Sequence, residues 1–265
     1  MLKDITLGQY FPGDTVIHRL DPRTKILLTI AYIVLTFLIK NFIGYGVLAV
    51  FTFGCILLSK IPPKFVLKGL KPVLVFIVIT AAFNLFLTGG TPVFQWWIFT
   101  ITKEGLRFAF FMVLRLIFLI LGTSLLTLTT SPISLTDGIE ELLKPFSKIG
   151  VPSHELAMMM SIALRFIPTL MEETDKIIKA QSARGADFDS GNLISRAKAM
   201  VPILIPLFIS AFRRADELAT AMECRCYRGG ENRTRLKQLC FSIIDLYAWV
   251  VILALGVILI GINLL

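Results

Sequence analysis

The chain has 265 residues, 55% of them hydrophobic, and a formal net charge of +9. Soluble domains carry about 45–50% apolar residues; here the excess is gathered into uncharged blocks, which excludes an ordinary soluble domain. The basic residues sit at the block edges and the aromatics inside the blocks. A nucleic-acid surface interleaves the two, so nucleic acid is excluded as a partner.

Residues 1–25 hold Lys3, Asp4, Asp14, Arg19, Asp21, Arg23 and Lys25 and no apolar run of a signal peptide. The segment is expected at the membrane surface, with the first span acting as its own insertion signal. Pro12-Gly13 marks a turn and Asp21-Pro22 the entry to that span. Uncharged blocks follow at Ile26–Ile39, Phe42–Ser59, Pro72–Thr102, Leu116–Ser131 and Leu246–Leu265. A bilayer core of about 30 Å needs about 20 apolar residues per helix. The blocks predict five transmembrane helices, over roughly 25–40, 42–59, 70–88, 104–130 and 244–264. Between the third and fourth, residues 89–102 read as a connection with Trp96 and Trp97 at the membrane interface.

The Lys and Arg distribution sets an orientation. With the N-terminus inside, the 60–71 loop with its four lysines is inside, and the connections at 40–42 and 89–103 carry one lysine each outside. The region 131–243, with fifteen Lys and Arg, is then cytoplasmic. Three segments result: 1–130 with the N-terminus and four spans, 131–243 as a cytoplasmic region, and 244–265 as the last span. Arg115 falls well inside the fourth span. Either it makes a polar contact within the bundle, or the span breaks there.

Two long helical patterns occupy the 131–243 region. The first runs from about Ser153, read as the N-cap after Pro152, to Ser182. Its apolar stripe includes Leu156, Met160, Ala163, Ile167, Leu170 and Ile177, with a kink expected at Pro168. The second runs from about Pro202 to Tyr227. Along it Ala211, Ala215 and Ala219 recur at i, i+4, either a ridge of small side chains where the two helices cross or simply good helix formers. Both helices end in an arginine with a small or turn-forming neighbour, Ala183-Arg184-Gly185 and Cys224-Arg225-Cys226. A cation in the last turn suits the helix dipole. It equally presents a planar fork to a carboxylate on another protein. Met158, Met159 and Met160 offer adaptable contact surface or ordinary packing.

Catalytic motifs are missing from the sequence. There is no G-x-x-x-x-G-K-[ST] phosphate loop, H-E-x-x-H or G-x-S-x-G. Cys55, Cys224, Cys226 and Cys240 form no ligand set with His18 or His154, so no metal site is expected and the thiols are read as reduced. Asp187 and Asp189 make one D-x-D, with a turn beside it. The spans lack the ionisable residues of an ion-coupled carrier. Bland spans with an elaborate cytoplasmic region read as a coupling device.

Several stretches carry a resemblance across essentially the whole chain. They are Gly8-Gln-Tyr-Phe-Pro-Gly-Asp14 with His18-Arg-Leu-Asp-Pro-Arg-Thr-Lys25, Ser131-Pro132 through Gly138, Gly150-Val-Pro-Ser-His-Glu-Leu-Ala157, Leu164-Arg-Phe-Ile-Pro168, Gln181-Ser-Ala-Arg-Gly-Ala-Asp187 and Arg213-Arg-Ala-Asp-Glu-Leu-Ala-Thr-Ala-Met-Glu223. The chain resembles the transmembrane T component of energy-coupling factor transporters, prokaryotic importers of vitamins and trace nutrients. The resemblance implies an all-α integral membrane protein with long coupling helices. It implies two cytosolic ABC-type ATPases docked on the X-Arg-X ends at Ala183, Arg184, Gly185 and at Cys224, Arg225, Cys226. It also implies a membrane-embedded substrate-binding S component. The chain itself would bind no cofactor; ATP and Mg would be used by the partner subunits. The cysteines around Arg225 depart from the usual small-Arg-Gly form.

Overall fold

The computed structural model describes residues 10–89, 91–96, 99–186, 188, 192–229 and 239–264. Asp187, Asp189 and Trp97 lie outside them, as do Gly8, Gln9 and the side chain of Trp96. The chain is helical and divides into two units. One comprises residues 8–138 and 238–265, the other residues 139–237, apart from the N-terminal end.

The first unit is the membrane body. A short α1 (Val16–Arg19) precedes α2 (Pro22–Leu38), whose start is fixed by Asp21: its carboxylate accepts the Arg23 backbone N–H at 2.8 Å, and Pro22 occupies the first helical position. Next come α3 (Phe42–Ser59), α4 (Pro63–Lys68), a 3-10 turn and α5 (Leu74–Leu87). After a hairpin come α6 (Lys103–Thr129) and α7 (Pro132–Leu143), at whose Gly138 this unit ends. The last helix of the chain, which also belongs to this unit, is Ile243–Leu264. Among the described residues, four helical stretches are long and apolar enough to cross a membrane: Phe42–Ser59, Pro63–Phe86, Lys103–Thr129 and Ile243–Asn263. The first expected span, α2, has 17 residues.

Two expectations need adjusting here. The third span begins at Pro63 rather than near 70, because the lysine-bearing segment is itself helical. Residues 89–102 hold an antiparallel hairpin, β1 (Pro92–Trp96) and β2 (Phe99–Thr102), with an irregularity between Pro92 and Phe94. The proline sits at the first strand position, where a missing donor costs least.

The core of this unit joins α2, α3, α6 and the last helix through Tyr32, Tyr45, Leu48, Phe118, Leu121, Leu255 and Leu259. Tyr32 is its polar centre: its hydroxyl lies 2.9 Å from Thr52 Oγ1 and donates to the Phe118 carbonyl at 3.2 Å. A Cβ at Gly122 would stand 2.4 Å from the Tyr32 ring, so only glycine lets α6 approach α2 this closely. Outward side chains such as Val50, Leu57, Val75, Phe76 and Val257 are exposed, as hydrocarbon-facing surfaces are.

Several charges inside this body find partners at helix ends. The Lys25 ammonium donates to the carbonyls of His18 (3.1 Å) and Thr129 (2.9 Å), closing the C-terminal ends of α1 and α6. Asp245 accepts the backbone N–H of Asp21 at 2.9 Å and of Ser242 at 2.7 Å. Asp21, Lys25 and Asp245 are all buried. Arg115 is resolved in favour of a bundle contact, since α6 runs unbroken through it. Its guanidinium reaches the carbonyls of Phe37 (3.5 Å) and Ile39 (3.4 Å) at the end of α2 and lies over the Phe37 ring.

The second unit is dominated by two long helices. Following the 3-10 turn Lys144–Ile149 come α8 (Ser153–Ala183) and α9 (Leu193–Cys224); the helix Ile243–Leu264 is therefore α10. The span of α8 matches the sequence expectation. α9 starts nine residues before the expected Pro202, because the helix passes through both Pro202 and Pro206. A proline leaves the carbonyl four residues back without its donor. For Pro206 that carbonyl is Pro202's, and Gln181 Nε2 of α8 reaches it at 3.5 Å.

Candidate functional site

The candidate residues gather at the two ends of α8 and α9, and the local chemistry of the two ends is the same. At the end of α8, Arg184 (φ −85°, ψ 3°) is followed by Gly185 at φ +88°. The N–H of Gly185 bonds the Ser182 carbonyl at 3.0 Å and that of Ala186 the Gln181 carbonyl at 3.0 Å. At the end of α9, Arg225 (φ −91°, ψ 12°) is followed by Cys226 at φ +54°. The N–H of Cys226 bonds the Glu223 carbonyl at 2.8 Å and that of Tyr227 the Met222 carbonyl at 3.0 Å. Both are Schellman closures, in which the left-handed residue after the cap consumes the last free carbonyls.

This closure requires a left-handed residue, and glycine adopts that conformation at no steric cost. Gly185 meets the requirement directly. Cys226 adopts it against the preference of a residue with a Cβ. The turn therefore holds each arginine at the C-cap, one residue past the last helical position.

Ala183, Arg184, Gly185, Cys224, Arg225 and Cys226 are all exposed. Among the described residues neither arginine has an ion-pair partner. Glu223, one candidate internal partner, is exposed, and Asp187, the other, lies outside the described residues. All four cysteines are free thiols, with Cys224, Cys226 and Cys240 exposed. Among the described residues no three His, Cys, Asp or Glu side chains gather as metal ligands.

The two helices pack on one another through polar contacts the sequence did not disclose. The Glu173 carboxylate of α8 accepts a hydrogen bond from the Ser210 hydroxyl and another from Arg214 Nη2 at 3.1 Å, both on α9. The Ser210 hydroxyl, and after it Arg214, hold the Glu173 carboxyl below the ordinary glutamate value, so it is ionised at neutral pH. Gln181 reaches Pro202 eight residues farther on along α8 and eight residues earlier along α9 than the Glu173–Ser210 contact. The helices are therefore antiparallel. Arg184 ends one near Pro202, while Arg225 lies 23 residues beyond Pro202, about 35 Å along the α9 axis.

The shielded positions of α9 are Ile203, Leu207, Ser210, Ala211, Arg214, Leu218 and Met222, one stripe at helical spacing. Ala211 belongs to it; Ala215 and Ala219 are exposed. They continue instead the opposite, unshielded stripe of Val201, Leu204, Ile205, Phe208 and Phe212, which is apolar and exposed, with the two phenylalanine rings 5.4 Å apart. On α8, Met159 is exposed while Met158 and Met160 are half-buried.

Residues 13–236 match the family model for CbiQ, described as cobalt transport protein. A Clostridium kluyveri protein named energy-coupling factor transporter transmembrane protein EcfT is 65% identical over 250 residues, 94% of this chain and 93% of its own length. Proteins of the same name from Thermosediminibacter oceani and Bacillus subtilis are 62% identical (96% of this chain, 97% of the relative) and 50% identical (91% and 92%). With a helical membrane body and a paired-helix region in place, the chain belongs to the CbiQ family, among the energy-coupling factor transporter transmembrane proteins.

Proposed function

We propose that this chain passes the work of two cytosolic ABC-type ATPases to a membrane-embedded S component, which then releases a vitamin or trace nutrient inward. The observation that carries the reading is the pair of equivalent helix ends, each presenting one exposed arginine. The antiparallel pairing places those ends about 35 Å apart along one axis, a spacing suited to one ATPase at each end rather than both on one patch. Arg184 and Arg225 each supply a planar fork to an acidic groove, with Ala183 and Gly185, or Cys224 and Cys226, as close-fitting neighbours.

The chain is the coupler and performs no catalysis; the ATPases use ATP and Mg. The S component seats on the exposed apolar stripe of α9, Val201 to Phe212, extended by the small side chains Ala215 and Ala219. Adjacent aromatic and small residues permit a close contact that can slide. Cargo identity then resides in the S component. The location is the cell membrane of a prokaryote, with the N-terminus and the α8–α9 region cytoplasmic, as the lysine and arginine distribution favours.

The test is a mild-detergent pull-down of the tagged wild-type chain and of the Arg184→Glu/Arg225→Glu variant. The wild type is expected to bring down two ABC-type ATPases and a small membrane protein. The variant is expected to lose the ATPases about tenfold or more, since truncating or reversing a central charged contact costs upwards of 2 kcal/mol. Equal ATPase recovery by both proteins removes the docking assignment, and absence of any ATPase from the wild type removes the coupling role.

A further inference from the structure

We propose that Glu173, held by Ser210 and Arg214, is the positioning residue that fixes the register of α8 on α9 and makes the two helix ends move as one lever. The role in coupling rests on the docking just proposed; the register lock itself does not.

The geometry is a two-point anchor. Ser210 and Arg214 lie four residues, about one turn, apart on the same face of α9, and both donate to the one carboxylate. A slip of α9 by one residue shifts it about 1.5 Å along the axis and turns it by about 100°, which removes both donors. The Gln181 contact to the carbonyl freed by Pro206 repeats the same register eight residues away. Two points along an antiparallel pair fix both rotation and translation.

Apolar packing between α8 and α9 is only partly buried. Every residue of the main buried cluster lies in the membrane body, and α9 holds its shielded stripe mostly half-exposed. The Glu173–Arg214 pair is partly exposed, so its contribution is to the geometry of the pairing more than to stability.

The position of the anchor suits a pivot. Glu173 is eleven residues before Arg184 on α8, and Arg214 eleven residues before Arg225 on α9. Each arm is therefore about 16 Å long. Because the helices are antiparallel, the two arms extend from the anchor in opposite directions. A displacement delivered at one end is passed across the anchor with equal leverage. Without the anchor it is spent on slippage between the helices.

The experiment uses the chain with its native partners in lipid nanodiscs. Spin labels are placed through non-canonical residues at the exposed positions Lys179 and Glu217, which spares the native thiols. The distance distribution between them is read by double electron–electron resonance in the wild type, Glu173→Gln, Glu173→Arg and the exchanged pair Glu173→Arg/Arg214→Glu. ATPase recovery is measured on the same samples. The expected result is a distribution widened about twofold in both single variants and narrow again in the exchanged pair, with ATPase recovery unchanged, the signature of a pairwise interaction. A width unchanged by Glu173→Arg overturns the proposal. So does a widened distribution that the exchange does not narrow, or one accompanied by loss of the ATPases, since each makes Glu173 a general fold residue. If the wild type binds no ATPase, the docking reading fails, while the distance data still decide the register lock.

Discussion

The membrane body and the α8–α9 pair spend their charged residues in opposite ways. In the body, Asp21, Lys25 and Asp245 are buried, and each polar contact closes a helix end or joins two helices. Arg115 does the same for α2 from within a span. In the α8–α9 pair the arginines at the helix ends are exposed, and an apolar face of α9 is exposed as well. Lipid offers no hydrogen bonds, so a span must satisfy its own polar groups internally. On the proposed docking, the α8–α9 surface keeps charged and apolar groups open for partners.

The sharpest way to break that contrast is to remove one buried charge. Asp245→Ala leaves the N–H groups of Asp21 and Ser242 without their acceptor and removes a negative neighbour of buried Lys25. The expected loss is about 3 kcal/mol, read as a lower unfolding midpoint of the detergent-solubilised chain. A change at the α9 end is expected to have the opposite sign. Cys226→Gly relieves the left-handed conformation at φ +54° and is expected to stabilise the turn by about 1 kcal/mol, seen as slower amide exchange over residues 222–227. The reciprocal change, Gly185→Ala, is expected to speed exchange over residues 181–186 by a matching amount. The smallest stability effect belongs to the exposed stripe. Phe208→Ser/Phe212→Ser is expected to stay within about 0.5 kcal/mol of the wild type, yet to lose the small membrane partner from the pull-down. A large loss of stability there would mean that the stripe is ordinary core, and the contrast between the regions would fall.

Much of the site was legible before the fold. The Pro152-Ser153 start and the Arg184-Gly185 stop marked the bounds of α8 to within a residue, although Pro152 and not Ser153 holds the N-cap position and no side chain caps the helix. The start of α9 was not legible. Pro202 looked like a first helical position, and only the contact from Gln181 on another helix shows how an internal proline's orphaned carbonyl finds a donor. Ala211, Ala215 and Ala219 suggested a crossing ridge, but the shielded stripe is rotated so that Glu173, Ser210 and Arg214 meet. Glutamate, serine and arginine on long helices usually face solvent, so nothing in their spacing singled out this triple. Arg115 was equally open, since the carbonyls it reaches belong to the end of a helix some 76 residues earlier in the chain.

The sequence by itself determined the apolar blocks, the two long helices and the arginines at their ends. Each follows from composition, hydrophobic period or capping, which act over a turn or two of chain. Tertiary structure alone decided where the buried charges find their partners, which face of α9 is covered and which stays open, and in what register α8 meets it. Those are set by groups brought together from distant parts of the chain, and an energy shared between such groups is visible only once both have been placed.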